Sequence, residues 1–197
     1  MIRETIVTTL SVDGVPHLAP LGLIRDGSDW IVAPFHPSTT LANLRARGQA
    51  TASHTDDVRV FAGCLTGRRD WTLAPSVSVA PPRLASALAH EELEVIGVEE
   101  DDLRPRFRCR VKTVQTHAPF PGFNRAQSAV IEAAILASRL HMLPVDKVRA
   151  EVDYLTIAIT KTAGPREQEA WEWLLEKIRA VHPEIGVSMP AVSLRDN

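Results

Sequence analysis

Cysteine is scarce in this chain. There are two, Cys64 and Cys109, far apart in the sequence. They build neither a CxxC motif nor a disulfide framework, which points to a reducing cytoplasm. Each reads as a buried apolar thiol. Long apolar runs are also missing: none reaches the roughly 18 residues of a membrane span. The opening MIRETIVTTLSVDG lacks the apolar centre of a secretory signal, so a cytoplasmic location is expected. Neither charge dominates, with 22 Lys and Arg against 24 Asp and Glu and a net charge of -2. That balance gives no electrostatic case for nucleic acid as a partner. There is no P-loop, no GxGxxG after a strand, no HExxH and no GxSxG elbow. The seven histidines (His17, His36, His54, His90, His117, His141 and His182) are scattered. No two sit four residues apart on one helix, so no metal site is expected.

What is present starts with strands. Residues 4–11, 16–24 and 29–35 are short runs rich in β-branched and apolar residues, joined at Asp13-Gly14 and Asp26-Gly27. Asp-Gly between such runs is a hairpin signal, so the first three strands form an antiparallel meander. A short helix is expected over about 38–47, stopped by Gly48. Residues 50–55 and 58–65 read as strands around an Asp56-Asp57 turn. Residues 66–90, rich in Ala, Pro and Ser, read as a loop with a short helix from Pro82 to His90. An acidic stretch, Glu91–Asp102, precedes a basic one in which Arg104, Arg106, Arg108, Arg110 and Lys112 alternate with Phe107, Cys109 and Val111. Period two makes the basic stretch a strand with one charged face, which the acidic segment can pair.

From residue 122 the pattern turns helical. Ala126, Val130, Ala133, Ala134, Ala137 and Leu140 form one stripe; Val145, Val148, Val152, Leu155 and Ile159 form a second. A third helix follows Gly164-Pro165, acidic at its start and basic at its end, with Leu174, Ile178 and Val181 as its stripe. The reading is therefore an α+β chain. An antiparallel split β-barrel covers residues 1–120, and a C-terminal three-helix subdomain, 121–197, is expected to pack on it.

The most informative segment is HPSTTLANLRARGQATASHTDD, residues 36–57. Ser38, Thr39 and Thr40 precede the first helical apolar residues. A helix start offers unpaired N–H groups and the positive end of the dipole. Hydroxyls there can cap the helix or bind an anion. Ser53 and His54 are adjacent on a strand and point to opposite faces, so they form no nucleophile–base pair. Ser53 and Thr55 share a face. Gly22 marks either a bulge or a place where something flat approaches the backbone.

The order PHLAPLG, PFHPSTTLANL and SHTDDVRVF, with FNRAQSAVIEAAILASRL and ITKTAG later, resembles the FMN-binding split barrels of the flavin reductase and pyridoxamine phosphate oxidase superfamily. More narrowly it resembles the family called domain of unknown function 447. The resemblance implies a homodimer with FMN near the interface and a small-molecule redox substrate, with a link to one-carbon or pterin metabolism. It places the phosphate at Ser38, Thr39 and Thr40 and the ribityl chain near Asn43. It places the flavin ring along Ala19, Pro20, Leu21 and Gly22 and along Ser53, His54 and Thr55. Arg125 would close the pocket. The function implied is that of an FMN-dependent oxidoreductase. The alternatives are a flavin carrier or sensor without turnover, or an interaction protein with a degenerate site. No residue is assigned as catalytic. One departure stands out: the cradle has no cation of its own, and Arg45 and Arg47 lie on other faces of the helix.

Overall fold

The computed structural model describes residues 1–186; the last part of the expected helical subdomain, 187–197, lies outside the described residues. Six strands close a barrel: β1 (Ile2–Leu10), β2 (Pro16–Asp26), β3 (Asp29–Val32), β4 (Gln49–His54), β7 (Ala89–Glu99) and β8 (Arg106–Thr116). A two-residue pair, β5 (Leu73–Ala74) and β6 (Arg83–Leu84), stands apart from it. Around the barrel the order is β1-β2-β3-β8-β7-β4, every pairing antiparallel, and β4 closes the ring against β1. Closure leaves no sheet edge open. Both Asp-Gly turns form as expected. Gly14 and Gly27 take φ of 80° and 60°, a region that residues with a Cβ avoid.

Helix α1 (Thr39–Arg47) follows β3 and ends at Gly48 in the left-handed conformation, whose N–H bonds to the Leu44 carbonyl. Its Leu41 and Leu44 join Val7, Leu23, Trp30, Val32, Ala50, Ala52, Leu93, Phe107 and Cys109 in the barrel core. The opposite face of the β1–β4–β7 strands is polar and nonetheless buried. Thr8 pairs with Thr51, and Thr51 with Glu92, all at 0% exposure. Residues 76–84 lie over this row. The Thr51 hydroxyl donates to the Pro81 carbonyl at 2.7 Å, and the Leu84 N–H donates to Ser53 Oγ at 3.0 Å.

The chain forms two compact units: residues 1–56 with 69–121, and residues 57–68 with 122 onward. In the second, α2 (Arg59–Leu65) joins α3 (Arg125–Ala137), α4 (Val145–Thr162) and α5 (Pro165–Val181). Its core includes Val58, Ala62, Ala126, Val130, Ala133, Val148, Val152, Trp171, Leu174 and Ile178. Many of these are alanines, which let helix axes approach closely. Asn124 caps α3: its Oδ1 accepts from Ala126 N at 2.8 Å, and its Nδ2 donates to the Thr162 carbonyl at 3.0 Å.

Four expectations are corrected. Residues 58–65 form a helix, not a strand. Asp57 is not a strand turn; its carboxylate accepts from the Arg59 backbone N–H at 3.2 Å and from Arg59 Nη2 at 2.7 Å, fixing the start of α2. That ion pair, with Glu169, also raises the Arg59 pKa. The sixth barrel strand is the acidic segment, and 82–90 carries β6 and the start of β7 in place of a helix. Val181 is 52% exposed and lies off the α5 stripe. The expected pairing of acidic and basic strands does occur, with Lys112 to Glu94 at 3.3 Å and Arg106 to Glu99 at 3.5 Å.

Candidate functional site

The three segments singled out in the sequence all meet strand β1. Ile6 pairs with Pro20 on one side and with Ser53 on the other; Val7 pairs with Ala19 and Ala52. Asn43, on α1, donates from Nδ2 to the Thr9 hydroxyl of β1 at 3.0 Å, with both residues buried. No role for β1 was visible in the sequence.

At the start of α1, Ser38 is the cap. Its backbone is extended, and its Oγ accepts from Leu41 N at 3.3 Å while its carbonyl accepts from Ala42 N at 3.1 Å. The next two residues are unspent. Among the described residues, the amides and hydroxyls of Thr39 and Thr40 have no partner. Thr39 is exposed, whereas Thr40 is 3% exposed. Four donors at the positive end of a helix form a set that suits a phosphate.

The cations of α1 are engaged elsewhere. Arg45 pairs with Glu100 at 2.6 Å, and Arg47 donates to the Ser11 and Val12 carbonyls. The cation held on the segment that enters the cradle is one the sequence reading missed. Arg104 lies over the Phe35 ring, 4.7 Å from its centroid, and donates from Nε to the Ala33 carbonyl at 2.7 Å. His36 N bonds to the Leu103 carbonyl at 2.8 Å, so the two segments are zipped together. The alternation in the sequence put Arg104 on the basic strand, but β8 begins at Arg106.

On β2, Ala19, Pro20, Leu21 and Gly22 are all half-buried. Gly22 sits in regular register opposite Glu4, not at a bulge. A Cβ there would lie 2.8 Å from Ile2 Cγ2 and 3.3 Å from Glu4 Oε1, so its small size is demanded by the side chains of β1. On β4, Ser53 is fully buried and engaged by Leu84 N. Thr55 lies just past the strand end.

His54 belongs to a polar cluster on the core face. Glu91 Oε1 is 3.3 Å from His54 Nε2, and Glu91 Oε2 accepts from Trp30 Nε1 at 2.6 Å. Arg25 covers the Trp30 ring at 4.7 Å. Burial pushes the Glu91 carboxyl up, but the bonds from His54 and Trp30 outweigh it and hold it below the usual range. On the other face, Glu92 accepts from the amides of Val77, Ser78 and Val79 and faces His90 Nε2 at 3.1 Å. His90 Nδ1 lies 2.9 Å from Nε2 of the exposed His117. Burial raises Glu92, yet the amides and His90 hold it low.

Arg125 stands in the second unit, exposed, at the first turn of α3. Among the described residues no helix is long and apolar enough to cross a membrane, and no cluster of three or more His, Cys, Asp or Glu is placed to hold a metal ion.

A closed six-stranded antiparallel barrel, with a helix between its third and fourth strands and a helical unit after it, defines the class: an α+β split barrel. The chain belongs to the family described as protein of unknown function (DUF447). The family's N-terminal domain matches residues 3–118, and a second part of the family matches residues 124–176. No curated protein matches the chain. Among solved structures it is similar to the FMN-bound protein MM1853 from Methanosarcina mazei, with 21% identity and a TM-score of 0.77 over 89% of this chain and 94% of that one. It is also similar to the 2-nitrobenzoate 2-nitroreductase NbaA of Pseudomonas fluorescens, with 19% identity and a TM-score of 0.51 over 58% of this chain and 64% of that one. A third is BorF, the flavin reductase component of a bacterial two-component tryptophan halogenase, with 16% identity and a TM-score of 0.51 over 60% and 82%. At these identities the likeness is one of fold.

Proposed function

We propose that this chain binds FMN on its barrel unit and serves as a flavin-dependent oxidoreductase for a small molecule. The observation that carries the reading is the unspent donor set of Thr39 and Thr40 at the start of α1. It stands in a fold shared over 89% of the chain with an FMN-bound protein. A phosphate accepts hydrogen bonds and is favoured at a helix N-terminus, so donors and ligand match in kind. Ser38 holds the helix end that presents them. Asn43, tied to Thr9, fixes α1 against β1 beside the proposed ribityl path. The ring contacts proposed are Ala19 to Gly22 and the Ser53–Thr55 segment, with Ser53 acting through Leu84 to shape the surface.

When bound, FMN supplies the electron-transfer chemistry; the chain binds and orients it. His54, oriented by Glu91, is a titratable side chain of the proposed set, and it is assigned no catalytic step. The reading does not rest on Arg125. A homodimer with the cofactor near its interface and a location in the cytoplasm complete the proposal.

One observation favours a second reading, a barrel with a weakened flavin site. The cations of α1 are committed to Glu100 and to backbone carbonyls, so a dianion there meets donors without a helix-borne counter-charge. Titration of the purified full chain with FMN decides between them. The first reading expects flavin absorbance to shift on binding, melting temperature to rise with FMN, and bound flavin to bleach when NADH or NADPH is added. A melting temperature that FMN leaves unchanged overturns it, because a ligand of the native state must stabilise that state. Binding without bleaching leaves a carrier.

A further inference from the structure

We infer that the helical unit carries an anion site at the end of α2, shaped to take the phosphate group of a small molecule. This inference is independent of the flavin reading. An open cavity of about 750 Å³ lies between the turn that follows α2, residues 66–68, and the part of α5 that presents Trp173, Glu176 and Lys177. Every residue that borders it belongs to the helical unit.

Two cations are held in place at this cavity. Arg68 lies over the Trp173 ring, 4.2 Å from its centroid, and donates from Nη1 to the Thr66 hydroxyl at 2.9 Å. That hydroxyl is fixed in turn, because it donates to the Ala62 carbonyl at 2.9 Å. Lys177 donates from Nζ to the Leu65 carbonyl at 2.7 Å. Long side chains already held in this way lose little rotamer freedom when a ligand arrives. The contacts also spend few donors. A guanidinium has five N–H groups and an ammonium three, and these bonds use one of each. Glu176 stands 3.8 Å from Arg68 Nη2, beyond hydrogen-bond reach, and its side chain is 78% exposed, so that pair is weak.

The backbone at the same end adds a donor. A helix end leaves carbonyls open, which would repel an anion. Here the carbonyls of Ala62, Gly63 and Leu65 are taken by Thr66 N, Arg68 N and Lys177. The Gly67 N–H, by contrast, has no partner among the described residues. Gly67 takes φ of 85°, and a Cβ on it would meet nothing within 4 Å, so the backbone there is open. Two cations that face one opening repel each other until an anion enters between them. An arginine fork, an ammonium and an amide match a group with three terminal oxygens, which a phosphate has and a carboxylate lacks. The cavity has the size of a small-molecule pocket, so it has room for a phosphomonoester as well as for the free ion.

An NMR titration of the full-length protein, first with inorganic phosphate and then separately with phenyl phosphate, tests this. The signals read are the Gly67 amide and the Trp173 indole N–H, and both should shift and saturate. Tighter binding of phenyl phosphate identifies a monoester site; equal or weaker binding identifies a site for free phosphate. Arg68→Met and Lys177→Met should each weaken binding about tenfold or more. Arg68→Lys keeps the charge and loses the fork, so it should weaken binding about threefold or more. Thr40→Val should leave these constants unchanged, which separates the site from the start of α1. Circular dichroism checks that every variant is folded, and Arg68→Lys is the mildest of them. Gly67 and Trp173 signals that neither probe moves, or that move without saturating, overturn the inference. So does binding indifferent to both Arg68 variants, or binding that Thr40→Val abolishes.

Discussion

Replacing Thr40 with valine should move two measurements in opposite directions. Thr40 is 3% exposed, yet its hydroxyl has no partner among the described residues. Valine keeps the β-branched shape and replaces only the hydroxyl with a methyl group. Burying an unpaired hydroxyl costs about 1–3 kcal/mol in mutational series. The oxygen of Thr40 is not among the fully sealed unpaired atoms, so the gain on removing it is at the low end, at most about 1 kcal/mol. For a chain of this size that corresponds to a melting temperature higher by about 2–4 °C in the absence of FMN. In the presence of FMN the sign reverses. A hydrogen bond to a charged phosphate contributes about 1.5–3 kcal/mol, so affinity should fall about 10- to 100-fold. Differential scanning calorimetry without ligand and a fluorescence titration with FMN measure the two quantities on one sample. A variant that melts lower without FMN would show that the hydroxyl has a structural partner. Unchanged affinity would place the phosphate elsewhere, and the cradle argument would fail with it.

Thr8→Val applies the same logic without a ligand. The Thr8 hydroxyl is sealed and unpaired, so the variant should gain about 1 kcal/mol by chemical denaturation; a loss would reveal a bond to it. Stability should also fall in acid in two stages. Folding lowers the His117 pKa through partial desolvation of the ring, with Arg83 and His90 adding to the effect, so the unfolded chain takes up a proton first as pH drops through about 6.5. Glu92, also held low in the fold, contributes fully above the usual carboxylate range and loses that contribution as pH falls through its lowered folded value. Denaturation midpoints of wild type and His117→Gln between pH 8 and about 2.5 check this: the variant should lose only the upper stage, and superimposable curves would contradict it. Cys109 is fully buried, and burial together with Asp29 pushes its thiol up to about 12. It should resist a maleimide or disulfide reagent until the barrel unfolds, and rapid native labelling at that position would disprove its enclosure.

Much of this architecture could be read from the chain because local signals agreed with the final contacts. Asp-Gly at two turns, three hydroxyls before Leu41, and Gly48 after Arg47 each act within a few residues. The alanine stripes of α3 likewise needed only helical period. Elsewhere the deciding contact was remote. VRVFAGCL carries β-branched and aromatic residues that suit a strand, but Val58 and Ala62 are buried in the helical unit's core, and tertiary packing overrides the local preference. The acidic segment Glu91–Asp102 was expected only to pair with the basic strand, yet Glu92 is wholly buried because the amides of residues 77–79 close over it. The candidate site divides in the same way. Ser38 as a cap was legible. That Ser53 is occupied by Leu84, that His54 meets Glu91, and that Arg104 returns to Phe35 depend on pairs too distant in sequence for any periodicity to register.

The chain passes between its two units at residues 56/57, 68/69 and 121/122. During synthesis, α2 therefore emerges with its intended neighbours still unmade, and must wait through the whole of β5 to β8 before α3 and α5 exist. Val58 and Ala62 meanwhile have nothing of their own core to cover them. The barrel cannot be released as a finished piece by stopping after residue 120, because residues 57–68, in the middle of that length, belong to the helical unit. A shortened gene of that kind would encode a protein with an apolar segment permanently uncovered, prone to aggregate. In this chain the tail is therefore not a detachable module: removing it uncovers α2.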